Sequence, residues 1–76
     1  MKDLFTVVIV DYFTFQRTEE SFNNEDSAIR YTVDQIVKAG DGGVLSRDEL
    51  CSTLKAKMAF VGGKHQYWIE TVELPE

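Results

Sequence analysis

The sequence predicts an α+β fold of order β-β-α-α-β: a small antiparallel sheet of three or four strands with two helices packed on one face. Three observations carry this reading. Residues 4–15, Leu-Phe-Thr-Val-Val-Ile-Val-Asp-Tyr-Phe-Thr-Phe, are dense in the β-branched and aromatic side chains that suit a pleated, half-buried surface. Ala28, Ile29, Val33, Ile36 and Val37 recur at the spacing of one helical face. Ser46-Arg47-Asp48-Glu49 forms a capping box, in which the serine hydroxyl and the glutamate carboxylate reciprocally satisfy backbone amides at a helix start. Two helices over one face of a sheet is the economical way to bury both apolar stripes.

The elements follow in order. Val7–Val10 is apolar on both faces, so the first strand is central. Gln16-Arg17-Thr18 reads as a turn, and Glu19–Asn23 as a short, more polar second strand with Phe22 inward. Asn24 or Asp26 caps the first helix, Lys38 suits its C-terminal end, and Gly40 is a natural residue just past it. After Asp41-Gly42-Gly43, the second helix presents Leu50, Cys51, Leu54 and Met58 on one side and Arg47, Lys55 and Lys57 on the other. Gly62-Gly63-Lys64 breaks the chain before a last strand, His65–Leu74, which Pro75 ends. Phe60-Val61 either pairs across that turn as one extra short strand or trails the helix. No internal repeat or linker divides residues 1–76, which read as one small domain.

The linker carries the most specific local pattern. Residues 40–50 resemble the second half of an EF-hand calcium loop, with Gly43 at position 6, Leu45 at 8, Ser46 at 9 and Glu49 at 12. The same register sets Lys38, Gly40 and Gly42 at positions 1, 3 and 5, where a hard cation needs oxygen ligands. Asp41 and Asp48 fall at positions that do not ligate. The capping box, with Leu45 and Leu50 as its hydrophobic staple, explains every matching residue without a metal. A degenerate, calcium-responsive EF-hand-like domain therefore stands as an alternative, and no cofactor is expected.

Charge and cysteine content narrow the function classes. The net charge of -5, from 13 acidic and 8 basic residues, argues against direct nucleic-acid binding, which needs a basic footprint. No apolar run spans a bilayer, because Val7–Val10 is followed by Asp11. Met1-Lys2-Asp3 precedes a short apolar stretch without a small-residue cleavage site, which argues against a secretory signal. A single cysteine fits a reducing compartment, so a cytoplasmic location is expected.

No set of residues reads as a catalytic centre, and the chain is not expected to be an enzyme. A nucleophilic pair of Cys51 and His65 is conceivable, yet Cys51 shares a helix face with Leu50, Leu54 and Met58, where an inert thiol belongs. His65, beside Gly62-Gly63-Lys64, reads as an exposed loop-end residue. Asp11 either marks a buried site or sits where its strand leaves the core, solvated or paired with a lysine or arginine. Gly62-Gly63-Lys64 lacks the spacing of a phosphate loop. Tyr12, Phe13, Phe15, Tyr31, Phe60, Tyr67 and Trp68 are many aromatics for so short a chain, and one of the strand neighbours Tyr67 and Trp68 must face outward. Exposed aromatics rimmed by acids are the chemistry of a protein-binding surface. The candidate partner-binding residues are Glu19, Glu20, Glu25, Asp26, Tyr67, Trp68 and Glu70.

From Phe5 to Val37 the chain runs through a strand, an acidic turn, the strand containing Glu20-Ser21-Phe22, and a helix with an early Ala28-Ile29. In this order it resembles small phage-encoded accessory proteins, which include antitoxins and inhibitors of host polymerases or defence nucleases. It implies a binding protein of viral or mobile-element origin that modulates a host protein in the host cytoplasm. A nucleic-acid-binding host protein with a basic surface is the kind of partner an acidic chain would engage. A homodimer formed by edge-strand pairing, as a structural protein, is a further alternative.

Overall fold

The computed structural model describes residues 2–74. Met1, Pro75 and Glu76, and with them the stop expected at Pro75, lie outside the described residues. The elements are β1 (Lys2–Asp11), β2 (Arg17–Phe22), α1 (Glu25–Ala39), α2 (Arg47–Lys57), β3 (Ala59–Val61) and β4 (His65–Leu74). Residues 59–61 are the extra short strand, so the order is β-β-α-α-β-β. The strands form one antiparallel sheet of order β2-β1-β4-β3, with the apolar first strand inside it as expected.

Alternation along the strands gives the sheet two different faces. Val7, Tyr67 and Ile69 face the helices and cluster with Ala28, Ile29, Val33, Ile36, Leu50 and Leu54, with Phe5, Ile9, Phe22 and Phe60 packed around them. Thr32 sits inside the same layer because its hydroxyl donates to the Ala28 carbonyl at 2.8 Å. The opposite face carries Thr6, Val8 and Val10 of β1, flanked by Ser21, Glu19 and Arg17 of β2 and by Glu70, Trp68 and Gln66 of β4. Neither α1 nor α2 covers this face. Val8 is nonetheless fully buried beneath its neighbours, among which the Arg17 guanidinium carbon lies 5.7 Å from the Trp68 ring centroid.

Both helix starts follow their sequence signals. Asn24, the residue before α1, accepts from the Ser27 amide at 2.8 Å. Ser46 and Glu49 make both bonds of the capping box. Gly40 ends α1 in the left-handed conformation, φ 73, and the Gly40 and Asp41 amides donate to the Val37 and Ile36 carbonyls in a Schellman arrangement. Met58 packs against the core with Cys51, Leu50 and Leu54 as expected, and it also ends α2, at φ 55 with its amide on the Leu54 carbonyl.

The first strand is shorter than its composition predicts. It ends at Asp11, and residues 12–16 form a tight loop before β2 begins at Arg17. The cause is the Asp11 side chain, whose Oδ1 accepts from the Phe13 and Thr14 amides at 2.8 and 3.0 Å and so folds the chain back on itself. Among the described residues, no helix is long and apolar enough to cross a membrane.

Replacing Ser46 with alanine removes one half of the capping box and leaves the Glu49 amide without its side-chain acceptor. The expected outcome is a loss of about 1 kcal/mol of stability, seen as a lower urea midpoint with an unchanged slope.

Candidate functional site

Three loops meet at one end of the sheet: residues 12–16 between β1 and β2, the linker 40–46 between α1 and α2, and the turn 62–64 between β3 and β4. The Schellman turn at the end of α1 places Asp41 so that its carboxylate points inward, with its side chain only 1% exposed. A carboxyl group so far from water must be hydrogen-bonded to be tolerated. Three donors provide this. The Lys64 amide reaches Oδ1 at 3.2 Å, while His65 Nδ1 and the Tyr67 hydroxyl reach Oδ2 at 2.8 and 2.7 Å. Gly62 makes room, since a Cβ there would lie 2.6 Å from the Asp41 Cβ. Burial, then the bond to Asp41, raises the Tyr67 phenol, so its hydroxyl remains a proton donor.

His65 extends the network to the next loop. Its Nε2 lies 3.3 Å from Asp11 Oδ2, so one imidazole stands between two carboxylates. Asp11 in turn holds the 12–16 loop, and the bonds from the Thr14 and Phe13 amides keep its carboxyl below the usual range. Further bonds fasten this loop, among them Asp11 N to the Gln16 carbonyl at 3.0 Å, Phe15 N to the Asp11 carbonyl at 2.9 Å and Tyr12 N to the Lys64 carbonyl at 3.1 Å.

The same end carries most of the exposed apolar surface. Among the described residues, the exposed large hydrophobic side chains are Tyr12, Phe13 and Phe15 on the first loop, Val37, Val44 and Leu45 around the linker, Val61 beside the turn, and Val72 elsewhere. Phe13 and Phe15 are each 80% exposed, and Phe15 adopts φ 59, a left-handed conformation that a bulky L-residue rarely takes.

These facts relocate several expected residues. His65 is not an exposed loop end, because both ring nitrogens face carboxylates. Asp11 is paired as expected where the strand leaves the core, though with His65 and two backbone amides rather than a lysine or arginine. Tyr67 is 1% exposed and faces the helices, so no partner reaches it. Its neighbour Trp68 lies on the open face, where its indole donates to Glu70 Oε1 at 2.9 Å. Glu19 joins them there, 3.4 Å from Arg17. Glu20 points to the other side of β2, while Glu25 and Asp26 lie in the first turn of α1, at the end away from the three loops. Cys51 packs beside the helix–sheet core. Of the carboxylates in the EF-hand-like segment, Asp41 is engaged as described and Glu49 accepts from the Ser46 amide at 3.1 Å. Among the described residues no group of His, Cys, Asp and Glu is arranged to hold a metal ion.

Comparison with protein-family models, curated proteins and solved structures finds no match.

Replacing Tyr67 with phenylalanine deletes one donor and keeps the ring. Leaving buried Asp41 short of a partner is expected to lower stability by about 1–3 kcal/mol, and an unchanged melting temperature would contradict the role given to the hydroxyl. Asp11 supplies a pH dependence with a defined sign. Its lowered folded pKa means that it stabilises the fold above about pH 4 and that this contribution fades as pH falls through the folded value. Asp11→Asn, which retains an acceptor oxygen for the Phe13 and Thr14 amides, is therefore expected to flatten the acid limb of the stability curve.

Proposed function

We propose that this protein is a non-catalytic module that binds and modulates another protein, and that the 12–16 loop is the centre of its contact surface. The carrying observation is the pair Phe13 and Phe15, each 80% exposed, with Phe15 at φ 59. Left-handed backbone at a non-glycine residue costs about 1 kcal/mol, and an exposed phenylalanine gains nothing from packing. Stability alone would favour Gly or Asn here. Burying one such ring against a partner is worth about 1.5–3 kcal/mol, and the Asp11 bonds hold the loop ready, so little ordering entropy is lost on binding.

Charge selects among partners. The chain carries a net charge of -5, and Glu19 and Glu70 flank Trp68 on the open sheet face. A basic partner surface would be steered toward such a face. Pairing two β2 edges about their centre would set Glu19 of one copy against Glu20 of the other, which favours a different protein over a second copy. The resemblance of residues 5–37 to phage-encoded modulators points to the same class, acting in the cytoplasm of a host cell.

The test is capture from a bacterial lysate, the setting that resemblance implies, with the parent chain and a Phe13→Ser/Phe15→Gly double variant. The parent is expected to retain a stoichiometric protein partner that the variant loses, while thermal melting shows the variant about as stable as the parent, because glycine relieves the strain at position 15. A partner held equally by both chains, or none held by the parent, would overturn the proposal.

A further inference from the structure

The sheet has two edges of different character. β3 supplies one, and it is short: Ala59–Val61, flanked by exposed Lys57 and Lys64. Brief strands and lysines are how sheets discourage further pairing. β2 supplies the other, at the far side of the order β2-β1-β4-β3. It runs regularly against β1 from Phe5↔Phe22 to Val10↔Arg17, without a bulge, a proline or a lysine, and every residue of it but Phe22 is exposed. We infer that the β2 edge takes an extended, basic segment of the protein partner as an added antiparallel strand. The inference rests on the protein-binding reading and adds the element recognised.

The backbone groups that hold such a segment follow from the ladder. The Asp11 amide donates to the Gln16 carbonyl at 3.0 Å, which makes Asp11 and Gln16 a hydrogen-bonded pair. Bonded and non-bonded pairs alternate along an antiparallel ladder. Ile9↔Thr18, Val7↔Glu20 and Phe5↔Phe22 are therefore the bonded pairs of β1 and β2. The amides and carbonyls of Thr18, Glu20 and Phe22 are used within the sheet, and those of Arg17, Glu19 and Ser21 point away from it. Among the described residues no strand pairs with that side. Main-chain groups so arranged accept an extended chain, and side chains decide which one.

Charge makes that choice. Glu19 and Glu20 are neighbours on β2 and face opposite sides of the sheet, so two successive residues of an added strand each meet one carboxylate. Glu25 and Asp26, in the first turn of α1, extend the acidic surface just past the end of β2. A second copy of this chain would set carboxylate against carboxylate, whereas two adjacent arginines or lysines gain on both sides. The edge is also continuous with the contact loop, since Phe15 stands just before the start of β2. An antiparallel segment that passes Glu20 and then Glu19 carries its following residues toward Phe13 and Phe15, where apolar side chains fit.

The experiment is an NMR titration of the full chain with the acetylated, amidated peptide Ser-Val-Arg-Arg-Val-Thr-Val-Gly, and with its counterpart in which glutamate replaces both arginines. The basic peptide is expected to give saturable shifts along β2. At about nine-tenths occupancy it is expected to slow hydrogen exchange about tenfold at the amides of Arg17, Glu19 and Ser21, which a peptide held by side chains alone would leave unprotected. Affinity is expected to fall about fivefold in Glu19→Gln/Glu20→Gln. Ser21→Pro removes an outward amide, sets a ring in the path of the added strand and leaves the β1 ladder intact, so it is expected to abolish binding. Exchange in the parent chain tests the same backbone without any substitution. Absence of binding by the basic peptide, equal binding by the acidic one, unslowed exchange at Arg17, Glu19 and Ser21, or full affinity in Ser21→Pro would each overturn the inference. A lysate partner lost by Phe13→Ser/Phe15→Gly but held equally by Ser21→Pro and the parent would reject the added strand while leaving the protein-binding reading standing.

Discussion

The buried carboxylate of Asp41 is the constraint around which the loop end of the molecule is organised. Unpaired, such a group would cost several kcal/mol to remove from water, a large fraction of what a domain of this size has to spare. Its three donors therefore have to be present together: the amide of Lys64, the imidazole of His65 and the hydroxyl of Tyr67. Each comes from the β3–β4 turn or the start of β4, while Asp41 itself belongs to the helix linker. The carboxylate thus fastens the helical layer to the sheet at a point where hydrophobic packing gives way to solvent.

From that point the order passes outward. His65 is oriented by Asp41 and meets Asp11, and Asp11 fixes the amides of Phe13 and Thr14. A deep polar contact and an exposed aromatic loop are separated by one imidazole and one carboxylate. The open sheet face is organised differently. There, Glu19, Arg17, Trp68 and Glu70 form a surface chain over fully buried Val8, and the contacts are exposed ones of small individual worth. The two surfaces share the sheet and little else.

Much of this fold was legible in the sequence because its signals are local. Asn24, Gly40 and the Ser46–Glu49 box act within a few residues of themselves, and the helical stripe from Ala28 to Ile36 repeats within one element. The end of β1 was misread because Tyr12, Phe13 and Phe15 have strand propensity, while the turn is dictated by a single side chain, Asp11, bonding to backbone two and three residues on. Tyr67 and Trp68 were known to face opposite ways, but only the register Val8↔Trp68 and Ile9↔Tyr67 decides which lies inside. The Asp41 network was not legible. Its partners lie 23 to 26 residues away, and an Asp-Gly-Gly linker has the composition of solvent-exposed chain. The left-handed backbone that marks Phe15 leaves no trace in composition either.

Gly62 shows what this arrangement asks of inheritance. Its place is required by neither a turn with positive φ nor a ligand, but by a side chain from another loop standing where its own Cβ would be. Asp41 and Gly62 are thus a coupled pair: a larger residue at 62 becomes admissible only once 41 has shrunk, and that in turn strands the donors of His65 and Tyr67. Sequence drift at these positions must be concerted, whereas Phe13, Phe15 and Val44 touch no such set. The outermost residues can be exchanged one at a time, while the clamp beneath can change only as a block.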